Sequence, residues 1–168
     1  MPSPIKVELT LDYAGASPPF RWQMCFNRFT IDILPNGKLV DFAYVDGDQA
    51  RDIVRIFISK EGLLHLKDSV AQYLPRLSGT QDPGPDVEDI PHAVRRFSPL
   101  FSNHVRMAHS GGTAEIAFYM ITLSQIADEI RGQRKKGAPM PVLPVALLHS
   151  AISVHYRFIC RVLDNVAP

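Results

Sequence analysis

The sequence is poor in several features, and each shortage excludes a class of protein. Its 168 residues include two cysteines, Cys25 and Cys160, so a fold built on a disulfide framework is excluded. The apolar runs stop well short of the ~20 residues that span a bilayer, so we expect no transmembrane helix. Lys and Arg number 18 against 17 Asp and Glu, without the basic excess that is usual in a dedicated nucleic-acid-binding protein.

The first residues lack the pattern of an export signal. Residues 1–6 have neither the basic segment nor the apolar segment of a signal peptide. Cysteines in a chain without such a signal are usually reduced, and free cysteine is frequently buried. We therefore expect Cys25 and Cys160 to be buried thiols, and the protein to be cytoplasmic.

A weak internal repeat is the main feature that the chain does contain. Residues 26–45 and 101–120 both open with Phe, run through an alternating strand to a Gly-bearing turn, and return on a strand that carries Tyr44 or Tyr119. The offset between the two openings is 75 (101 − 26). Repetition of a supersecondary unit predicts stacked or pseudo-symmetric packing.

The first half reads as strands followed by one helix. Alternating apolar residues predict strands over 5–12 and 20–26, and a change of the apolar face near Asn27 indicates a bulge or a break. Asn36-Gly37 predicts a type I′ hairpin turn. Ser59 predicts the N-cap of an amphipathic helix.

The second half repeats this order, with Ser150 as the predicted cap of its helix. We therefore predict an α+β fold in one domain, 1–168, with two βββα units whose antiparallel sheets are each covered by a C-terminal helix in a pseudo-two-fold arrangement. The predicted parts are a first unit over 20–74 with an added strand over 5–12, a proline-rich linker over 75–99, and a second unit over 100–168.

The last helix is apolar over more than half of its circumference. Val154, Phe158 and Val162 lie on faces that a single sheet does not cover. We expect these three residues to lie in an interface, either between the two halves of the chain or between subunits of a homo-oligomer.

Several residue spacings resemble known site motifs but lack residues that those motifs require. We therefore expect no cofactor and no metal. Asp46, Asp48 and Asp52 lack the Gly and Glu of a calcium loop, which predicts a solvated turn. Ser110 lacks the Gly that a nucleophile elbow has two residues before its Ser. Glu115 is expected to pair across strands with a base such as Arg106.

The remaining histidines and glycines give no site either. His104 and His109 point to opposite faces of one strand, and His65 lies on the wet face of a helix. Gly132 and Gly137 are not followed by the Lys and Ser or Thr of a phosphate-binding loop.

A dense cationic run suggests contact with nucleic acid. It consists of the candidate phosphate-contacting residues Arg131, Arg134, Lys135 and Lys136. Three aromatic residues on predicted strands are candidates for base stacking: Trp22, Tyr44 and Tyr119. A solvated surface loop is the alternative interpretation of the cationic run.

The second half has a recognisable series of residues: Ser102-Asn103, His109-Ser110, Glu115 with Phe118, the strand 145–148 and the helix from Ser150. In this series it resembles a family of short bacterial βββα proteins of unknown function. The topology, with residues 28–33, Asn36-Gly37 and 56–74 at strand and helix positions, is distantly similar to purine-rich-element-binding (PUR) and whirly-type modules. That similarity implies binding of single-stranded nucleic acid.

These observations favour a non-catalytic binding or assembly module that acts as a homo-oligomer with a protein partner. A single-stranded nucleic-acid-binding protein of the PUR or whirly-like type is the first alternative. An enzyme whose site is not legible in the sequence is the second, because no nucleophile, acid–base pair or ligand cluster passed inspection.

Overall fold

The computed structural model describes residues 11–12, 20–71, 90, 98–122, 127, 131–132 and 140–166. The elements with defined bounds are β1 (Leu11–Asp12), β2 (Trp22–Cys25), β3 (Arg28–Leu34), β4 (Gly37–Asp46), β5 (Gln49–Ser59), α1 (Lys60–Val70), β6 (Leu100–Ser102), β7 (His104–Ser110), β8 (Thr113–Met120), β9 (Met140–Pro141), β10 (Leu143–Ala151) and α2 (Ile152–Val162). The fold is α+β, as predicted. Neither of these helices has the length and apolar content to cross a membrane.

Two four-stranded sheets make up most of the described part of the chain. Sheet I has the order β2-β10-β8-β7, and sheet II has the order β3-β4-β5-β6. Each sheet is antiparallel except at one edge, where β2 runs parallel to β10 and β6 runs parallel to β5. The parallel edges correct the expectation of purely antiparallel sheets. β1 and β9 form a separate parallel pair.

The chain changes sheet at two asparagines. β2 belongs to sheet I, but after Phe26 and Asn27 the chain continues as β3 of sheet II. The apolar face changes here because the strand ends and a new one begins, which decides between the predicted bulge and the break. In the same way, the chain passes at Asn103 from β6 of sheet II to β7 of sheet I. The sequence did not predict β6 as a strand.

The main core lies between the two sheets and the two helices. Phe158 of α2 is fully buried, and its ring packs against Phe26, Phe29 and Phe42. Aromatic side chains of this size dominate core energetics. The apolar face of α2 is therefore covered by its own chain.

The helix starts confirm one prediction and correct another. The Ser59 hydroxyl accepts a hydrogen bond from the Gly62 N–H at 3.1 Å, so Ser59 is the N-cap of α1. At α2 the N-cap is Ala151, without a side-chain hydrogen bond. Ser150 is instead a buried residue of β10, because the strand continues to Ala151, three residues beyond its predicted end at Leu148, and the N-cap falls one residue later than predicted.

The first hairpin also differs from its prediction. Leu34 pairs with Gly37, so the turn residues are Pro35 and Asn36. Neither Asn36 nor Gly37 has a positive φ, so the type I′ assignment is wrong. The turn after Asp46 does hold a glycine with positive φ, Gly47 at 62°.

Two lysines donate hydrogen bonds to main-chain carbonyls at and just beyond the C-terminal end of α2. Buried Lys38 donates to the carbonyls of Val162 and Asp164 at 2.7 and 2.6 Å, where the helix dipole favours a cation. Burial lowers the pKa of Lys38, and the charge of Asp164 partly opposes this shift. Lys67 donates to the Val166 carbonyl at 2.9 Å.

Some predictions fall outside the described residues, and the expected burial of the two cysteines is corrected. The undescribed parts are the strand residues 5–10, residues 72–74 of the predicted first helix and most of the linker 75–99. Within that linker, Ile90 is 3% exposed and packs on Ala43 and Val45, so at this point it is docked. Cys25 and Cys160 are free, as expected, but both are exposed rather than buried.

Candidate functional sites on two sheet faces

The outer face of sheet II carries a strip of partly exposed apolar side chains. Alternation along the strands puts Val40 into the core, so Leu39 points to the outer face. Leu39 pairs with Phe57, and Phe57 pairs with Phe101 across three neighbouring strands. The rings of Phe57 and Phe101 stack with centroids 5.7 Å apart.

Leu34 and Gly37 extend this surface toward the hairpin turn. Leu34 is 40% exposed and Phe101 is 42% exposed. A Cβ at Gly37 would lie 2.9 Å from Cζ of Phe57, so that ring leans over the glycine. We call Leu34, Leu39, Phe57 and Phe101 the apolar strip.

The row beside the apolar strip is polar and satisfied. Arg55 donates from Nε and Nη2 to the two carboxylate oxygens of Asp41 at 2.7 and 2.9 Å. This hydrogen bonding raises the pKa of Arg55. A bidentate pair of this kind is compatible with the polar rim of a protein interface.

On sheet I the outer face carries a row of different chemistry. Cys25 of β2 pairs with His149 of β10, and His149 pairs with Glu115 of β8. Met24, Leu148 and Ile116 are core residues, so the thiol, imidazole and carboxylate all point outward. We call Cys25, His149 and Glu115 the polar row.

Glu115 makes a different pair from the predicted one. His149 Nδ1 lies 3.9 Å from Glu115 Oε2, and both side chains are half-exposed. Arg106 lies opposite Ala117 and has the Tyr119 hydroxyl as a hydrogen-bond partner. Glu115 and His149 border a depression of about 220 Å³ that Ser110 and Thr113 also line.

A groove of about 400 Å³ separates α1 from β7. It is lined by His65, Asp68, Ser69, His104, Val105, Arg106 and Met107. The rings of His65 and His104 meet edge to face at 5.2 Å. Burial lowers the pKa of His104 to about 4, with smaller contributions from His65 and Arg106. His65 is exposed, as predicted, but it contacts a buried histidine.

The candidate stacking residues do not lie together. Trp22 and Tyr44 are exposed side chains on different sheets. Tyr119 is 8% exposed and packs against Phe20 and His104, so its ring has no free face for a base. Burial also raises the pKa of Tyr119. The stacked pair Phe57 and Phe101 was not among the candidates.

The candidate phosphate-contacting residues are described in part. Arg131 is exposed in a turn, next to Gly132 with φ 68°. Arg134, Lys135 and Lys136 lie outside the described residues.

The three candidate interface residues all belong to α2. Phe158 and Val162 are fully buried within the chain, and Val154 is partly buried against the core. The first two thus belong to the contact between the two sheets.

No group of three ligands for a metal ion occurs among the described residues. Asp46, Asp48 and Asp52 are exposed at a turn and its neighbouring strand, and Asp46 accepts an ion pair from Arg51 at 2.7 Å.

Sequence reasoning missed both the apolar strip and the polar row. Strand partners in them are as far apart in sequence as 44 positions in the apolar strip, for Phe57 with Phe101, and 124 positions in the polar row, for Cys25 with His149. Alternation along a strand indicates the face of a side chain but not the neighbouring strand. The only signal was the interruption of alternation by apolar residues such as Leu39 and Phe57 on an otherwise polar face.

A comparison with protein families, with curated proteins and with solved structures finds no match to this chain.

Proposed function

We propose that the protein is a non-catalytic binding module that assembles with a second copy of itself through the apolar strip. The observation that carries this proposal is the position of four apolar side chains on neighbouring strands of one sheet face, two of them at least 40% exposed. Contiguous apolar patches on a surface commonly mark protein contacts. The apolar face of α2, which first suggested an oligomer, is covered internally and does not support it.

A second copy suits this surface because both sides of a two-fold interface have the same chemistry. Facing strips would bury aromatic and aliphatic groups against each other, with the Asp41–Arg55 pair at the rim. Stable interfaces bury about 800 Å² per partner, so the strip would form the centre of a larger contact. A partner protein is the alternative occupant.

The repeat is part of the same proposal: we infer two copies of one βββα unit. Asn27 exchanges two side-chain hydrogen bonds with the main chain of Val45, and Asn103 does the same with Ile121, each 18 residues further on. The offset is 76 for both members (103 − 27 and 121 − 45), one more than the sequence comparison gave. The resemblance of the second half to short bacterial proteins stays a prediction.

The main-chain carbonyls that accept the first N–H of each helix have the same offset. The first N–H of α1, in Lys60, bonds to the Asn36 carbonyl, and that of α2, in Ile152, bonds to the Gly112 carbonyl, both at 2.9 Å. Asn36 and Gly112 are again 76 positions apart (112 − 36).

A cytoplasmic location is proposed as well, supported by the two free cysteines.

Analytical ultracentrifugation over a range of protein concentrations tests the assembly. We expect a dimer that Phe101→Glu and Leu34→Glu weaken by at least about tenfold in Kd, since a charge would be buried in the contact. Leu143→Glu is the matched control, because Leu143 is 47% exposed on the other sheet. A monomer at all concentrations would contradict the second copy as occupant.

Single-stranded nucleic acid is the second candidate ligand, favoured by the stacked pair of the partly exposed Phe57 and the exposed Phe101. Arg55, one row away on this face, is bound by Asp41. Phosphate contacts would therefore fall to Arg131 and the rest of its cationic run. Fluorescence anisotropy of a labelled oligonucleotide, with Phe101→Glu beside the wild type, tests this candidate.

A further inference from the structure

We propose that the polar row on sheet I is a thiol modification site, at which Cys25 reacts with low-molecular-weight disulfides and His149 accepts the thiol proton. This activity is independent of the apolar strip, which lies on the other sheet. The strand register places a nucleophile, a base and a carboxylate side by side in this row.

The register defines the geometry of the row. Cys25 and His149 are direct partners on parallel strands, and the Phe26 N–H bonds to the His149 carbonyl at 2.8 Å, which locks this register. Neighbouring strands lie about 4.8 Å apart. A cysteine and a histidine on the same face at that spacing are within reach of each other through ordinary rotamers.

Glu115 occupies the opposite side of His149. Its carboxylate lies 3.9 Å from Nδ1, so it favours the imidazole orientation in which Nε2 remains for another partner. An imidazole placed between a thiol and a carboxylate is the arrangement in which a base activates a nucleophile and a third group orients the base.

Access is open on this face. Cys25 is exposed, and the His149 and Glu115 side chains are half-exposed. The neighbouring depression of about 220 Å³, with the hydroxyl residues Ser110 and Thr113, offers room for the reagent beside the row.

The reaction is thiol–disulfide exchange. The Cys25 thiol gives its proton to His149, and its sulfur attacks one sulfur of the disulfide R–S–S–R. The bond between the two reagent sulfurs breaks, the Cys25–S–S–R bond forms, and the leaving R–S⁻ takes the proton from His149. The reagent disulfide is itself the oxidant, so the exchange needs no further oxidant or reductant.

Cys160 provides an internal control, because it is also exposed but lies on α2. The Cys160→Ser protein keeps only Cys25, and the Cys25→Ser protein keeps only Cys160. Both are treated with an aromatic disulfide that releases a coloured thiolate, and with glutathione disulfide followed by mass spectrometry. An unassisted thiol is only a few per cent ionised near pH 7, so we expect Cys25 to react about tenfold faster than Cys160 there.

His149→Gln and Glu115→Gln in the Cys160→Ser protein separate base assistance from simple exposure. His149→Gln should reduce the Cys25 rate near pH 7 to that of Cys160, and Glu115→Gln should reduce it in part. Near pH 10 ordinary thiols ionise without a base, so the loss caused by His149→Gln should disappear. Equal rates for the two cysteines near pH 7, or an unchanged Cys25 rate in His149→Gln, would overturn the proposal.

Discussion

At the scale of single residues, Gly37 has a role that differs from the one its sequence context indicates. The pair Asn36-Gly37 is typical of a turn that needs positive φ, but Gly37 pairs with Leu34 and Ser59 inside sheet II. A Cβ at Gly37 would lie 2.2 Å from the Ile58 carbonyl oxygen. Glycine is therefore required here by the close approach of a neighbouring strand.

Gly37→Ala should lower the free energy of unfolding by about 3 kcal/mol, because a main-chain atom of β5 must move to admit the methyl group. Gly112→Ala is the matched control, since a Cβ there would meet nothing within 4 Å. Urea denaturation of both variants gives the comparison. Equal stability of the two variants would show that the strands separate at no cost.

Other single residues show what the sequence can and cannot indicate. The cap at Ser59 was correctly predicted, because a local side-chain hydrogen bond has a local signature. Ser150 has the same signature in sequence, but it is buried in β10 and a different residue begins α2. The distinction depends on where the neighbouring strand β8 ends its pairing, which is tertiary information.

At the scale of elements, the two sheet-changing corners are the most consequential feature. Asn27 donates to the Val45 carbonyl and accepts from the Val45 N–H, both at 2.8 Å. Asn103 makes the equivalent pair with Ile121, both at 2.7 Å. Each side chain thus replaces a strand neighbour for main-chain groups at the point where the chain leaves one sheet for the other.

Asn27→Ala and Asn103→Ala should each lower the free energy of unfolding by about 2–3 kcal/mol, because each leaves a main-chain donor and acceptor without its side-chain partner. The effect at Asn103 should be the larger, since its bonds are the more buried. Asn36→Ala, at an exposed turn residue without a positive φ, serves as the surface control. Chemical denaturation measures all three, and a loss below about 0.5 kcal/mol at both corners would rule out this role.

At the scale of the whole molecule, composition and periodicity were enough for the α+β class and for most strand locations, but not for strand neighbours. The parallel pairing of Cys25 with His149 joins positions 124 apart (149 − 25). Side-chain alternation is satisfied by any arrangement that buries the same faces. The polar row depends on that pairing, and the apolar strip depends on the parallel pairing of Phe57 with Phe101, so neither followed from the sequence.

Two buried imidazoles make the stability of the whole molecule depend on pH. Burial lowers the pKa values of His104 and His155 from 6.5 to about 4, with nearby His65 and Arg106 adding to the shift at His104 and His109 at His155. Between these pH values the unfolded chain binds protons that the folded chain does not. Stability is therefore lost as pH falls from 6.5 to about 4, and this contribution levels off below 4.

We expect each imidazole to account for about 2 kcal/mol of that loss, less than the full shift implies because solvent screens part of it. The double variant His104→Gln/His155→Gln should have a flatter profile than the wild type across this window. Carboxylates contribute to acid unfolding in both proteins, so the difference between the two profiles isolates the histidines. Urea denaturation at pH 7, 5.5 and 4.5 measures it, and parallel profiles would show that these imidazoles bind protons over the same pH range in the folded and the unfolded protein.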